Sequence, residues 1–273
     1  MKTILVGSLD DPASINIRDR LFEVCRWVKV DAPLPTWRCS AFEMVFIKGE
    51  KIYAEGLDAK LRDVGYAFDR MVFISRHKSA SGIPTLTVHP IGNWCTAEAG
   101  GRAETLVPPL PHDMTAALRA LKRHASGLDY HVSFEATHHG PYLETPTYFI
   151  EIGSTPSQWV DADAARAIAE ALMSARPLNA PVVLGVGGGH YMPRLTDLAL
   201  ERRVSVGHML PAYAVGCIRA ETLAGAAEMS GTSLVYVHRK GLKGEARRRV
   251  LKMIKDVGLE VVSSDLFEVL DAD

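Results

Sequence analysis

Short apolar runs recur along the chain, and between them apolar residues return every third or fourth position. The runs at 3–7, 42–47, 71–75, 85–89, 131–136, 148–152, 182–186 and 234–237 have strand length and carry many β-branched and aromatic side chains, which suit a pleated surface. Helical spacing is clearest at 14–28, 114–124, 161–175 and 244–257. The third of these opens with Asp161 and Asp163, carboxylates favoured at the positive end of a helix dipole, and stops before Pro177. Such alternation predicts an α/β fold, with a mixed, mostly parallel sheet covered by helices on both faces. Residues 100–111, with the Pro108-Pro109-Leu110-Pro111 stretch, read as an internal loop or a subdomain boundary.

The length of 273 residues suits a single α/β domain over 1–273, with room for a smaller subdomain formed by the C-terminal segment. Its 31 basic residues nearly balance 32 acidic ones, so bulk charge attracts no polyanion and a nucleic-acid partner needs a local patch. One exists at 239–255, where eight basic residues meet Glu245 as the only acid. Lys240, Lys243, Arg247 and Arg248 can form a stripe there, while Asp265, Glu268, Asp271 and Asp273 restore neutrality further on. Cys25, Cys39, Cys95 and Cys217 show no CxxC spacing, which argues against a zinc ribbon, a thioredoxin-like motif or a disulfide framework. The N-terminal run meets acidic residues at once and lacks a signal-peptide pattern, and the longest uncharged stretch, 177–193, is broken by three prolines and four glycines. A soluble protein of the reducing cytoplasm is expected.

The histidines mark the chemistry. His77, His89, His138, His139, His190 and His208 each stand at or just past the end of an apolar run. In open α/β sheets ligands collect outside the carboxyl ends of the strands, so these six, with Glu135 and Glu151, outline a metal or acid–base constellation. Gly140-Pro141 supplies a turn after His138 and His139, and the spacing is unlike HExxH. Beyond Glu151, the amides and hydroxyls of Ser154 and Thr155 can cap a helix or hold an anion. Gly187, Gly188 and Gly189 permit positive φ and close approach of a phosphate, sugar or base, and His190, Tyr191 and Arg194 follow as base or ligand, stacking ring and phosphate contact. Arg76, His77 and Lys78 form a loop suited to a phosphate or carboxylate. Neither a GK[ST] nor a GxSxG motif is present, so a water nucleophile is favoured over an acyl-enzyme.

Taken in order, SRHKS with TLTVHPIGN, EATHHGP, FIEIGST, GVGGGHYMPR and GHMLPAYA resemble the archaeal and plant type of D-aminoacyl-tRNA deacylase, over nearly the whole chain. The resemblance implies a three-layer, phosphorylase/hydrolase-like core similar to that of peptidyl-tRNA hydrolase. It also implies hydrolysis of the ester joining a D-amino acid to tRNA, which frees the tRNA for correct charging. One or two Zn2+ ions are implied, with ligands among His77, His89, His138, His190 and His208. Glu151 or Glu135 would be the general base, with His139 also catalytic, and Lys78 or Arg194 would meet the oxyanion or the terminal phosphate. Substrate contacts would come from Arg76, Ser154, Gly187, Gly188, Gly189, Tyr191, Arg194, Lys243, Arg247 and Arg248. A monomer or homodimer acting on D-aminoacyl-tRNA, with no DNA or membrane partner, is expected. A zinc-dependent peptidase or amidohydrolase on the same core, distinguished by needing no tRNA, and a non-catalytic tRNA-binding protein are the alternatives.

Overall fold

The apolar runs become the strands of two sheets in a computed structural model that describes residues 1–40 and 42–270, so Asp271 and Asp273 lie outside the described residues. The strands are β1 (Thr3–Ser8), β2 (Val28–Val30), β3 (Thr36–Arg38), β4 (Phe42–Ile47), β5 (Arg70–Arg76), β6 (Thr85–His89), β7 (Gly92–Asn93), β8 (Thr105–Leu106), β9 (His131–Phe134), β10 (Thr147–Gly153), β11 (Val182–Val186), β12 (Ser205–Leu210), β13 (Leu234–Val237) and β14 (Glu260–Val262). The α-helices are α1 (Pro12–Val24), α2 (Leu57–Asp63), α3 (Pro111–His124), α4 (Pro156–Trp159), α5 (Ala162–Ser174), α6 (Pro193–Glu201), α7 (Ala220–Met229) and α8 (Gly244–Asp256).

The larger sheet runs β2-β3-β4-β1-β5-β10-β6-β9. Its centre, β4-β1-β5-β10, is parallel, whereas β6 and β9 run parallel to each other and against β10. The smaller sheet, β12-β11-β13-β14, is parallel throughout. This is the mixed, mostly parallel α/β architecture expected. One apolar core runs from the larger sheet through α1, α3 and α5 to Val183, Val206 and Met209 of the smaller sheet, and α7 and α8 cover the smaller sheet's other face.

Local rules explain most boundaries. Asp11 caps α1 by accepting from Ala13 N at 2.9 Å, with Pro12 in the first turn, where its missing N–H costs nothing. That helix ends at Val24 instead of running to 28, because Val28–Val30 is taken into the sheet as β2. Asp161 caps α5 through Asp163 N and Ala164 N. Residues 100–111 form an internal loop whose β8 pairs with β7.

Cysteine spacing proved a poor guide. Cys95 and Cys217, 122 residues apart, are joined by a disulfide, with Cα atoms at 5.9 Å, and Cys25 and Cys39 are free. The fold, and no local motif, brings the loop after β7 to the turn after β12. Among the described residues no helix is long and apolar enough to cross a membrane.

Candidate functional site

Strand pleating builds the site. In β5, β6, β9 and β10 the even-numbered residues Val72, Ile74, Leu86, Val88, Val132, Phe134, Ile150 and Ile152 enter the core beneath the helices. Their odd-numbered neighbours therefore share the opposite face. Register sets Glu151 beside both Ser75 and Thr87, and Thr87 beside Ser133. Two residues past Ser75, Thr87 and Ser133 come His77, His89 and Glu135. Because β6 and β9 oppose β10, these groups do not share one carboxyl edge, as the strand-end expectation required; they converge over a face of the sheet. Gly153 makes this possible, since a Cβ there would lie 2.8 Å from the His77 ring.

At the centre, Glu135 is fully buried. Its Oε1 lies 3.3 Å from His77 Nδ1, and its Oε2 lies 3.1 Å from His190 Nε2 and 3.6 Å from His138 Nε2. Glu151 Oε2 stands 3.5 Å from both His77 Nδ1 and His89 Nε2. Tyr191 closes one side with its hydroxyl 3.2 Å from His77 Nε2. Three histidines share a further feature. The Nδ1 of His89, His138 and His139 faces a backbone carbonyl, of Pro90 at 3.1 Å, Ala136 at 2.8 Å and Gly140 at 2.6 Å respectively. A carbonyl only accepts, so each Nδ1 carries a proton, and Nε2 of His138 and His139 keeps its lone pair, whereas at His89 burial acts to lower the pKa but Glu151 beside Nε2 raises it.

That is how metal-ligating histidines are held. Donor atoms gather within 4.8 Å of one another in three overlapping sets: His89, His138 and His139; His77, Glu135 and His190; and His89, Glu135 and Glu151. Both Glu135 oxygens and His89 Nε2 are buried without a hydrogen-bond partner. Orphaned donors of this chemistry, imidazole nitrogen and carboxylate oxygen, fit a divalent cation such as zinc. Burial, reinforced by neighbouring imidazoles, holds His138 well below its ordinary pKa and His139 at about 4, which keeps both lone pairs free. Burial would also lower His77, but its hydrogen bond to Glu151 and the charge of Glu135 win and raise it to about 9. Burial acts to raise both glutamates, yet their histidine partners hold them below the carboxylate range, so both remain ionised.

The cluster opens into a cleft of about 490 Å3, whose walls include Arg76, Lys78, His139, Glu151, His190 and Lys51. Lys51 and its partner Asp11 were not legible as site residues. The Lys51 ammonium is buried, donates to Asp11 Oδ2 and reaches Ser14 Oγ at 3.0 Å. Asp11 Oδ2 also accepts from Arg76 N at 3.0 Å, which anchors the strand that carries His77. Burial lowers the Lys51 pKa against the pull of Asp11. Arg76 pairs with Glu50 at 2.7 Å at the rim and lies over the Trp159 ring, and Lys78 is exposed.

Other expected residues lie elsewhere. His208 is buried with Nδ1 3.1 Å from Thr137 Oγ1, burial drops its pKa to about 3, and its nitrogens join none of the three donor sets. The Ser154 hydroxyl donates to Ile83 O at 2.5 Å and is absent from the cleft wall. Gly187 and Gly188 do take positive φ, but for close backbone packing: a Cβ on Gly187 would lie 3.0 Å from His238 O. Neither they nor Gly189 line the cleft. Arg194, at the start of α6, contacts Asp197 and Tyr236 and lines a separate cavity of about 560 Å3 with His238, Arg239 and Lys240. Lys243, Arg247 and Arg248 are exposed where α8 begins.

A family model described as D-aminoacyl-tRNA deacylase matches residues 64–262. The chain belongs to this family. The D-aminoacyl-tRNA deacylase of Methanosarcina mazei is 35% identical over 96% of this chain and 92% of its own length, and that of Methanothrix thermoacetophila is 36% identical over 96% of each. Against the relatives from Methanococcoides burtonii and Methanoregula boonei the chain spans 56% and 58% of their length. A crystal structure of a conserved protein of unknown function superposes with a TM-score of 0.91 at 31% identity, covering 98% of this chain and 99% of that one. The deacylase family match takes in every residue of the histidine–carboxylate cluster, while Asp11 and Lys51 precede it.

Proposed function

We propose that the protein hydrolyses the ester between a D-amino acid and the 3′ end of tRNA, using water activated at the histidine–carboxylate cluster. The observation that carries this reading is Glu135: fully buried, with no hydrogen-bond partner on either oxygen, and ringed by histidines in a chain of this family. His89, His138 and His139 would hold one zinc ion, and His77, Glu135 and His190 a second. Bound zinc would polarise the ester carbonyl and lower the pKa of water.

The chain's own groups do the rest. Glu151 reaches the cleft surface and is ionised, so it takes the proton of the attacking water and passes it to the leaving ribose oxygen. Glu135 is walled in by three imidazoles and serves as a ligand. Lys78 and Arg76 at the cleft rim face the terminal phosphate, and Lys78 is the nearer cation for a developing oxyanion now that Arg194 lies elsewhere. Arg194 joins Arg239, Lys240, Lys243, Arg247 and Arg248 in holding tRNA phosphates further along the acceptor stem. A tRNA substrate puts the place of action in the cytoplasm.

The deciding experiment measures release of D-tyrosine and L-tyrosine from charged tRNA, with and without a chelator. Fast release of the D-form, abolished by chelation and restored by zinc, is expected. Equal rates for the two enantiomers, or full activity after exhaustive chelation, would overturn the reading.

A further inference from the structure

A second cavity also reaches the histidines. It measures about 340 Å3 and shares only His138 and His139 with the cleft already described. The two differ in chemistry. The first is walled by Asp10, Asp11, Glu50, Lys51, Arg76 and Lys78, whereas the only acidic or basic side chain in the second besides the shared histidines is Glu98. Its surface comes from Trp94, Ala99, Tyr213, Ala214 and the Cys95–Cys217 disulfide.

Three polar groups of this wall, on Asn93, Thr137 and Trp94, are already hydrogen-bonded. Asn93 Nδ2 donates to Gly100 O at 2.9 Å, Thr137 Oγ1 accepts from Met209 N at 2.9 Å and meets His208 Nδ1, and Trp94 Nε1 donates to Met209 O at 3.2 Å. His208 therefore stands behind the wall, with its ring edge-on to Trp94 at 6.1 Å. Trp94 is buried and fixed, while Tyr213 is 64% exposed at the mouth. A site walled by two aromatic rings, alanines and a disulfide, with no lysine or arginine in its lining, gives a phosphate no cation to pair with. It suits an apolar group of modest size attached to something held at His138 and His139.

We infer that this cavity receives the side chain of the acyl group, with preference for apolar and aromatic D-amino acids, while the charged cleft receives the terminal adenosine. The inference rests on the deacylase reading and assigns its substrate. The ester carbonyl then sits where the cavities meet, over His138 and His139, and its two substituents leave in chemically opposite directions.

The test uses the full chain and one tRNA charged with either D-phenylalanine or D-alanine. Ala99→Leu narrows the cavity without adding charge, and should lower kcat/KM for the D-phenylalanyl ester by about tenfold or more while leaving the D-alanyl ester within about twofold. Tyr213→Ala, at an exposed position that leaves folding intact, should raise KM for the D-phenylalanyl ester by roughly tenfold and leave the D-alanyl ester unchanged. Parallel losses on both esters, or no loss on either, in an enzyme that hydrolyses both would overturn the side-chain assignment and leave the deacylase reading standing. A wild-type chain that hydrolyses neither ester would overturn both.

Discussion

Two buried carboxylates in this molecule have opposite surroundings. Asp58, at the start of α2, is 2% exposed, and its Oδ2 accepts from Glu144 N at 2.9 Å, Thr145 N at 2.9 Å and Thr145 Oγ1 at 2.8 Å. Glu135 is equally buried, yet its polar neighbours are the imidazoles of His190, His77 and His138, at 3.1, 3.3 and 3.6 Å. A carboxylate removed from water needs compensation, and Asp58 receives it from its own chain, so it fixes the segment that follows the histidines. Glu135 receives it from the imidazole of His190 and the charge of His77, in a histidine–carboxylate grouping that also suits a cation. The contrast separates a carboxylate held by its own chain's amides and hydroxyl from one held among imidazoles, and substitution at each should break different properties.

The largest effect is expected at the cluster. Glu151→Gln should lower kcat by about 100- to 10,000-fold, since the general base is lost. Glu135→Gln should lower activity as severely by removing a ligand, while the midpoint of thermal unfolding of the metal-free protein stays close to wild type, because relief of desolvation offsets the lost ion pairing. A metal-free E135Q protein that melts far below wild type would place Glu135 with Asp58 among the structural carboxylates.

Next comes Lys51→Met, which leaves the buried Asp11 carboxylate without its ion-pair partner. Denaturant unfolding should show a loss of about 3 to 5 kcal/mol, with much of it recovered in the Lys51→Met, Asp11→Asn double variant. Additive losses would show that the two side chains act separately.

Asp58→Asn should cost about 1 to 3 kcal/mol of stability with kcat little changed. Burial acts to raise the Asp58 pKa, but the hydrogen bonds from Thr145 and Glu144 lower it below 3.8. Its contribution is therefore complete above the ordinary carboxylate range and fades as pH falls through the depressed folded value. The gap between wild type and D58N in acid unfolding should close in that window, and a gap that stays constant to low pH would deny the carboxylate this role.

The smallest change belongs to the surface of the smaller sheet. Reversing Arg247 and Arg248 to Glu should raise KM for charged tRNA a few-fold and flatten the salt dependence of binding, with kcat nearly intact. An unchanged salt slope would show these arginines to be a solvated helix face.

The strands at 42–47, 85–89, 182–186 and 234–237 were legible from the chain to the residue, because short stretches rich in β-branched and aromatic side chains suit a pleated, buried surface. The site was legible in its members and not in its assembly. Ser75 and His77, Thr85, Thr87 and His89, Ser133 and Glu135, and Glu151 all fall on odd positions within apolar strands, a period-two signal for a polar patch on one face. Which strands would adjoin, and in which direction, is set by long-range pairing that no local pattern carries. Lys51 escaped notice because KGEK reads as a charged surface turn, and only Asp11 across the fold explains its burial. Arg194 and the three glycines were drawn toward the cleft by their nearness to His190, although the chain turns away at Pro193 into α6. His208 lies inside β12 of the other sheet, just past a short apolar run, so its position in sequence resembled that of the cluster histidines while its surroundings differ.

The stretch just past β9 hems the two sheets together: Ala136 N donates to His190 O at 2.8 Å, Thr137 N to Met209 O at 2.9 Å, and Met192 N to Phe134 O at 3.0 Å. His190 thus reaches Glu135 only once the smaller sheet has docked. In the growing polypeptide, most of the cluster is synthesised well before the segment that completes it, and closing that long chain loop is slow relative to forming local structure. A nascent or partly opened chain therefore carries the histidines without the finished constellation, and an ion that binds the finished one favours the docked state by mass action. Completion of the histidine–carboxylate cluster and the closing of the seam between the sheets are one event in the life of the chain.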